Sequence, residues 1–135
     1  MPSLSADSNS LQDFCVADLN ASISINGYPC KPASKVNGSD FFFDIYIGFT
    51  LTSNLNFNVT PTNVVSFPAI NTLGISIYRL DYGPGGLNPP HSHPRASECG
   101  VVLKGRLLVG FVTTQNVYYF KVLKPGGIFV IPRGA

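Results

Sequence analysis

Glycine and proline occur so often along this chain that a long helix has almost no place to form. The 135 residues include 13 glycines and 11 prolines, and no window keeps a 3.6-residue apolar period over three turns. Between these breaks lie short runs rich in valine, isoleucine, phenylalanine and tyrosine, which predict β-strands. The predicted strands cover residues 21–26, 41–51, 64–67, 74–82, 98–103, 106–113, 117–123 and 128–131. Short strands at this spacing are typical of a sandwich or barrel, so the sequence predicts an all-β fold.

The charge content excludes two large classes of function. Only 12% of the residues are charged and the net charge is +2, with the basic residues scattered singly from Lys31 to Arg133. A nucleic-acid-binding surface needs clustered basic residues, so we expect no nucleic-acid partner. Residues 45–78 carry no charge, but Pro61, Pro68 and many asparagines, serines and threonines exclude a spanning helix of roughly 20 apolar residues.

The cysteines and sequons bear on the compartment of the protein. The first ten residues lack the basic and apolar stretches of a signal peptide, so the chain is either cytosolic or preceded by an upstream signal. Cys15 and Cys30 are either two unrelated thiols or a disulfide, which would stabilise the fold by about 3 kcal/mol. Three N-x-S/T sequons begin at Asn20, Asn37 and Asn58. Because such sequons carry N-glycans only in secreted proteins, they favour the disulfide and secretion.

Residues 85–98 contain both histidines of the chain and its only glutamate. In an extended segment, residues two apart project to the same side, so His91 and His93 are able to point into one cavity. Glu98 starts the next predicted strand, and a turn after Pro94 would bring its carboxylate to the two imidazoles. Two imidazoles and a carboxylate suit a first-row divalent metal such as manganese, iron, nickel or zinc. The segment therefore predicts an open metal site.

Two other interpretations of this segment stay open. A His-x-His pair in a proline-rich loop is often only an exposed loop feature, although the surrounding glycines and the offset of Glu98 favour the metal. Asn88 either orients a water or anion beside the metal, or holds the turn before Pro89. Cys99 lies in an apolar run, where we expect a buried and inert thiol.

The spacing around the histidines matches the first motif of the cupin family, G-x5-H-x-H-x(3,4)-E-x6-G. Every fixed position of that motif is filled, by Gly85, His91, His93, Glu98 and Gly105. Residues 11–19 and 67–76 resemble two further segments of plant germins and germin-like proteins, namely the mature N-terminus and the run before the metal motif. From about residue 11 to 135, the chain is similar to this branch of the cupins.

The resemblance implies a fold and a cellular setting. We expect a cupin jelly-roll β-barrel with an irregular N-terminal arm that a Cys15–Cys30 disulfide holds in place. The expected divisions are a leader or linker at residues 1–10, the arm at 11–40 and the barrel at 41–135. Members of the family are N-glycosylated, secreted into the plant cell wall (the apoplast) and assembled from dimers into hexamers. The same properties are expected of this chain.

The resemblance also implies a ligand set. Germins bind manganese through three histidines and one glutamate, so His91, His93 and Glu98 would be three of the four ligands. The first part of a second cupin motif matches Gly126, Pro132 and Gly134. The fourth ligand, a histidine, would stand three positions after Gly134, beyond Ala135. From this we expect a chain truncated relative to the family, without the strands that close the barrel.

The family suggests several functions. Some members oxidise oxalate, others are reported to dismutate superoxide, and many have no established activity. Oxalate oxidases present two asparagines to their substrate; Asn88 matches one, but Tyr78 stands at the other position. We therefore expect superoxide or another small anion as the substrate. The alternatives are a non-catalytic wall or storage protein on a cupin scaffold, and an inactive fragment with exposed apolar edges.

Overall fold

The computed structural model describes residues 12–24, 27–45 and 54–135. Within these ranges the regular structure consists of six β-strands and three short 3-10 turns, without an α-helix. The strands are β1 Phe57–Thr62, β2 Ile77–Tyr82, β3 Glu98–Val101, β4 Leu107–Val112, β5 Tyr118–Leu123 and β6 Ile128–Ile131. The 3-10 turns are Ala33–Lys35, Gly38–Phe41 and Pro68–Ile70. The all-β prediction is thus confirmed, and no helix in these ranges is long and apolar enough to cross a membrane.

The chain divides into two compact units, Met1–Asn88 and Pro89–Ala135. In the first unit β1 pairs with β2, and in the second β3 pairs with β6 and β4 with β5, all antiparallel. The β3–β6 pairing continues beyond the strand ends, because the backbone of Val102 exchanges hydrogen bonds of 2.8 and 2.9 Å with Gly126 and Gly127. Val102 is also the one apolar residue of the second unit that is buried, with only 6% of its surface exposed.

Five predicted strands contain the observed β2 to β6, because each is a short apolar run between turn residues. Strand β1 was not predicted, since Pro61 interrupts it and lacks the N–H that a sheet ladder uses. In the structure Pro61 lies opposite Tyr78 of β2, and the pairing continues on both sides of it. The loss of one backbone donor therefore does not disrupt the pairing of β1 with β2.

The predicted strand at 64–67 is wrong, because a side chain captures the backbone there. The side-chain oxygen of Asn63 accepts hydrogen bonds from the N–H groups of Val65 and Ser66. The backbone carbonyl of Asn63 accepts one from the N–H of Phe67. Such local bonds compete with strand pairing and close a turn. Residues 21–24 and 42–45 also lack strand structure, and the rest of those two predicted strands, 25–26 and 46–51, lies outside the described residues.

The N-terminal arm is irregular, as expected, but it contains the best-buried apolar residues among those described in the first unit. Cys15, Val16 and Ala17 expose 4%, 1% and 2% of their surface. Cys15 forms the disulfide with Cys30, which confirms that expectation. The N–H of Ala17 donates to the carbonyl of Pro68 at 2.9 Å, so the arm packs on the segment that leads to β2.

Candidate metal centre

The two histidines and Glu98 converge in the second unit. His91 and His93 lie in the segment that precedes β3, and Glu98 is the first residue of β3. One ligand atom from each of the three lies within 4.8 Å of the others. The Nε2 atom of His93 is 3.5 Å from a carboxylate oxygen of Glu98, and the two imidazole rings are 5.0 Å apart at 89°. Among the described residues, this is the group that offers three metal-binding side chains together.

A backbone carbonyl selects the tautomer of the neutral His91 ring. Its Nδ1 atom lies 2.7 Å from the carbonyl oxygen of Pro89. A carbonyl oxygen only accepts, so Nδ1 carries a proton, and in the neutral imidazole Nε2 keeps its lone pair. Histidines that bind metals commonly donate their second ring N–H to such a carbonyl, which fixes both the tautomer and the ring orientation. In the neutral form, His91 therefore presents Nε2 as the nitrogen able to bind a metal.

Two backbone hydrogen bonds hold the loop at His93. The carbonyl of His93 accepts from the N–H of Ala96 at 3.4 Å and from the N–H of Gly134 at 3.2 Å. The first bond closes the turn that returns the chain to Glu98. The second joins the loop to the segment after β6, where Gly134 has a φ of +81°. Glycine adopts this left-handed conformation without the strain that a side chain would add.

The sheet determines where Glu98 points. Side chains alternate between the faces of a strand, so Glu98 and Gly100 lie on one face of β3, together with Phe129 and Ile131 from the paired positions of β6. At Gly100 a Cβ atom would lie 2.5 Å from the ring of Phe129. The glycine thus leaves room for the phenylalanine ring on the same face as the carboxylate.

Cys99 lies on the opposite face, and the expectation of a buried thiol is wrong. The thiol is free and exposed, as are its neighbours Val101, Ile128 and Val130. Apolar side chains lie on both faces of the β3–β6 pair. The described residues partly cover the face that carries Glu98 and leave the face of Cys99 exposed. An apolar run in the sequence therefore did not report burial at this position.

The other predicted site residues lie in the first unit. Asn88 is its last residue, and Tyr78 lies in β2 with 53% of its surface exposed. Of the three sequon asparagines, Asn20 and Asn37 are exposed, whereas Asn58 is half-buried in β1. A substrate role for Asn88 and glycans at the three asparagines stay predictions.

The donor set fits a divalent metal. Two ligand atoms at about 2.1 Å from a metal and at right angles lie about 3 Å apart, close to the 3.5 Å between His93 and Glu98. Half of the His93 side chain and a third of that of Glu98 are exposed, so water and small molecules reach these ligand atoms. The motif predicted the three candidate ligands that the structure brings together. Nothing in the sequence indicated that the carbonyl of Pro89 and the N–H of Gly134 bond to the two histidines.

The comparison with known proteins decides the family. The model of the family described as Cupin matches residues 50–135. The chain belongs to the cupin family. Germin-like protein subfamily T member 2 of Arabidopsis thaliana is 57% identical over 135 residues, which are 99% of this chain and 60% of that protein. Germin-like protein 1-2 of Oryza sativa subsp. japonica is 52% identical over 130 residues, 96% of this chain and 58% of that protein. The expectation of a germin-like cupin is confirmed.

Solved structures support the same fold. A recombinant oxalate oxidase in complex with glycolate superposes with a TM-score of 0.86 at 45% identity, covering 93% of this cupin and 65% of that chain. Peruvianin-I, titled a cysteine peptidase from Thevetia peruviana latex, gives a TM-score of 0.86 at 40% identity, covering 96% and 80%. The fold is therefore the expected cupin jelly-roll. The chain spans about 60% of the length of the curated relatives that it matches.

Proposed function

We propose that this germin-like cupin binds manganese through His91, His93 and Glu98 and acts on superoxide, as a dismutase-type oxidoreductase of the plant cell wall. The observation that carries the proposal is the convergence of the three ligand atoms within 4.8 Å. The tautomer that Pro89 imposes on His91 supports it further, because a metal-binding Nε2 must be free of a proton. The setting in the cell wall is supported by the Cys15–Cys30 disulfide, which is typical of secreted proteins.

The residues of the site have separable roles in this proposal. Bound manganese would supply a one-electron redox couple, so that one superoxide is oxidised to dioxygen and a second, with two protons, is reduced to hydrogen peroxide. His91 and His93 hold the metal through neutral nitrogen atoms, and Glu98 adds one negative charge. The exposed side chains of His93 and Glu98 leave the site open to solvent, which delivers both the substrate and the protons.

Metal content tests the ligand set. The purified 135-residue protein, incubated with manganese(II) chloride and desalted, is expected to retain close to one manganese per chain. His91→Ala should abolish this retention, and Glu98→Gln should weaken the affinity at least about tenfold, the loss that even supporting residues around a metal cause. Ser92→Ala, between the two histidines, is the matched control and should bind normally. Folded protein without manganese would overturn the proposal, as would equal binding by His91→Ala.

Oxalate is the second candidate substrate, because the oxalate oxidase structure aligns over 93% of this chain. Tyr78 argues against it, since oxalate oxidases of the family present an asparagine amide at this position. The manganese-loaded protein should therefore consume superoxide and leave oxalate intact. Oxalate oxidation by the unchanged protein would reverse the order of the two candidates, and bound manganese without either activity would favour a non-catalytic wall or storage protein.

A thiol peptidase has less support, although Peruvianin-I carries that title. A cysteine nucleophile needs a base within hydrogen-bond reach. Cys99 points to the face of β3 opposite Glu98. Among the described residues, the partners of the two imidazoles are the carbonyl of Pro89 and the carboxylate of Glu98, so neither histidine activates the thiol.

The remaining proposals concern the whole protein. We expect N-glycans at the sequons and a homo-oligomer, up to the hexamer of the family, by analogy with germins. Secretion from plant cells, with a mass that falls on treatment with a glycosidase, would test the first expectation. Sedimentation of the secreted protein would test the second.

A further inference from the structure

The two units of the chain carry opposite charges. The unit Pro89–Ala135 contains six basic residues and a single acidic one, Glu98, which gives it a net charge of +5. The unit Met1–Asn88 contains three basic and six acidic residues, a net charge of −3. The net charge of +2 for the whole chain hides this division. The candidate metal centre thus lies in a strongly basic part of the molecule.

The lysines and arginines of the second unit form no ion pair within the described part of the chain. The ion pairs there are Lys31–Asp40, Arg79–Asp81 and His93–Glu98. None of them includes a lysine or arginine of the second unit. Those residues are Arg95, Lys104, Arg106, Lys121, Lys124 and Arg133. Unpaired charges of one sign add up to a potential that attracts ions of the opposite sign.

Two of the six basic residues belong to the backbone that frames the site. Arg95 lies between His93 and Glu98, in the turn that the Ala96 to His93 hydrogen bond closes. Arg133 directly precedes Gly134, whose N–H donates to the carbonyl of His93. Both arginines are exposed. A guanidinium group keeps its charge at every physiological pH, so these two residues place permanent positive charges on the two segments that frame the site.

We propose that Arg95 and Arg133 are specificity-determining residues, which draw small anions to the metal centre and disfavour cations. The proposal deepens the function proposed above and rests on it for the identity of the anion. The arginines act through their field and not through contact with the metal. Their effect is confined to the vicinity of the site, because charges in water are screened over about 8 Å at physiological ionic strength.

The field is measurable on the metal-free protein. Soluble nitroxide radicals that carry either a carboxylate or an ammonium group accelerate the relaxation of nearby amide protons according to their local concentration. At the amides of His93, Arg95 and Gly134, we expect the anionic radical to act more strongly than the cationic one. In water with 0.15 M salt, two unit charges at about 10 Å from a probe give a ratio of about two, which sets the size of the effect to look for. In 1 M salt the ratio should fall to one.

The variants separate a local field from net charge. Arg95→Gln and Arg133→Gln should each lower the ratio at His93 and Gly134, and the double variant should bring it close to one. Lys121→Gln, in β5, removes the same charge from the same unit and should leave the ratio at His93 unchanged. An equal effect of Lys121→Gln would overturn the proposal, as would a ratio of one in the unchanged protein. Because the arginines are exposed and unpaired, these variants are expected to fold.

Azide, a small anion, distinguishes this proposal from that of the function. On manganese-loaded protein, the double variant should bind azide several-fold more weakly while its manganese content stays the same. A normal anion preference in a protein that does not dismutate superoxide would contradict the proposed function and leave the role of the arginines standing. Unchanged azide affinity in the double variant would contradict the role of the arginines and leave the metal centre standing.

Discussion

At the scale of single residues, the candidate centre depends on which ring nitrogen of each imidazole carries a proton. The carbonyl of Pro89 selects the tautomer of the neutral His91 ring, in which Nε2 is the nitrogen without a proton. The motif in the sequence predicted the candidate ligand residues from their spacing. It did not specify the tautomer, because a carbonyl is present at every residue and only the backbone conformation decides where it points.

Asp40 provides a test at the same scale. Its pKa is lowered, first by the backbone N–H of Asn37 and then by the ammonium group of Lys31 at 3.1 Å. When folding lowers the pKa of a carboxyl group, the ionised group stabilises the folded protein. This contribution is fully present at pH values above the ordinary pKa of 3.8, and it is lost as the pH falls through the lowered pKa. Asp40→Asn should therefore lower the thermal midpoint at pH 7 and have a smaller effect at pH 2.

Thermal unfolding at both pH values measures this difference. Asp13→Asn, an exposed substitution in the same arm, removes one negative charge without these partners and is the control. An equal loss for Asp40→Asn at both pH values would show that the side chain stabilises the turn without its charge.

At the scale of elements, apolar runs between turns predicted strands well where the backbone had no competing partner. Strands β2 to β6 meet this condition. The prediction was wrong at residues 64–67, where the side chain of Asn63 forms hydrogen bonds with the backbone. It missed β1, because Pro61 interrupts that strand in the sequence. The sequence also did not show which face of the β3–β6 pair is covered, because apolar side chains lie on both of its faces.

The alternation in β3 predicts how Cys99 reacts. Its thiol is exposed on the face opposite Glu98, so iodoacetamide should modify it in the folded protein without changing the manganese content. Mass spectrometry after a timed reaction, followed by metal analysis, measures both quantities. Cys99→Ser should bind manganese as the unchanged protein does. Loss of metal on alkylation would place the thiol near the ligands and contradict the assigned faces.

At the scale of the whole molecule, the two units are stabilised in different ways. The first combines one pair of strands with a disulfide that joins the buried residue Cys15 to Cys30. The second has two pairs of strands, and its cysteine is free. The sequence contained both the cysteine pair and the metal motif, so the contents of each unit were predictable. The boundary at Asn88 and Pro89 was not, because it falls inside the motif segment and not at a change of composition.

Removal of the disulfide should affect the units unequally. A cross-link between residues 15 apart in sequence stabilises by about 3 kcal/mol in the chain-entropy model. In the variant with serine at both cysteines, hydrogen exchange should accelerate at Val16 and Ala17 and stay unchanged in β3 and β6. Equal acceleration in both units would indicate that they unfold as one cooperative body.

The hydrogen bond between Gly134 and His93 also bears on the order of events during synthesis. The ribosome makes His91, His93 and Glu98 before it makes β4, β5 and β6, and Gly134 follows all of these strands. A nascent chain that has just exposed the histidines therefore lacks one of the two backbone bonds that hold their loop. The loop gains its second backbone bond only after Gly134 has left the ribosome. Metal acquisition is therefore expected to be a late event in the maturation of this protein.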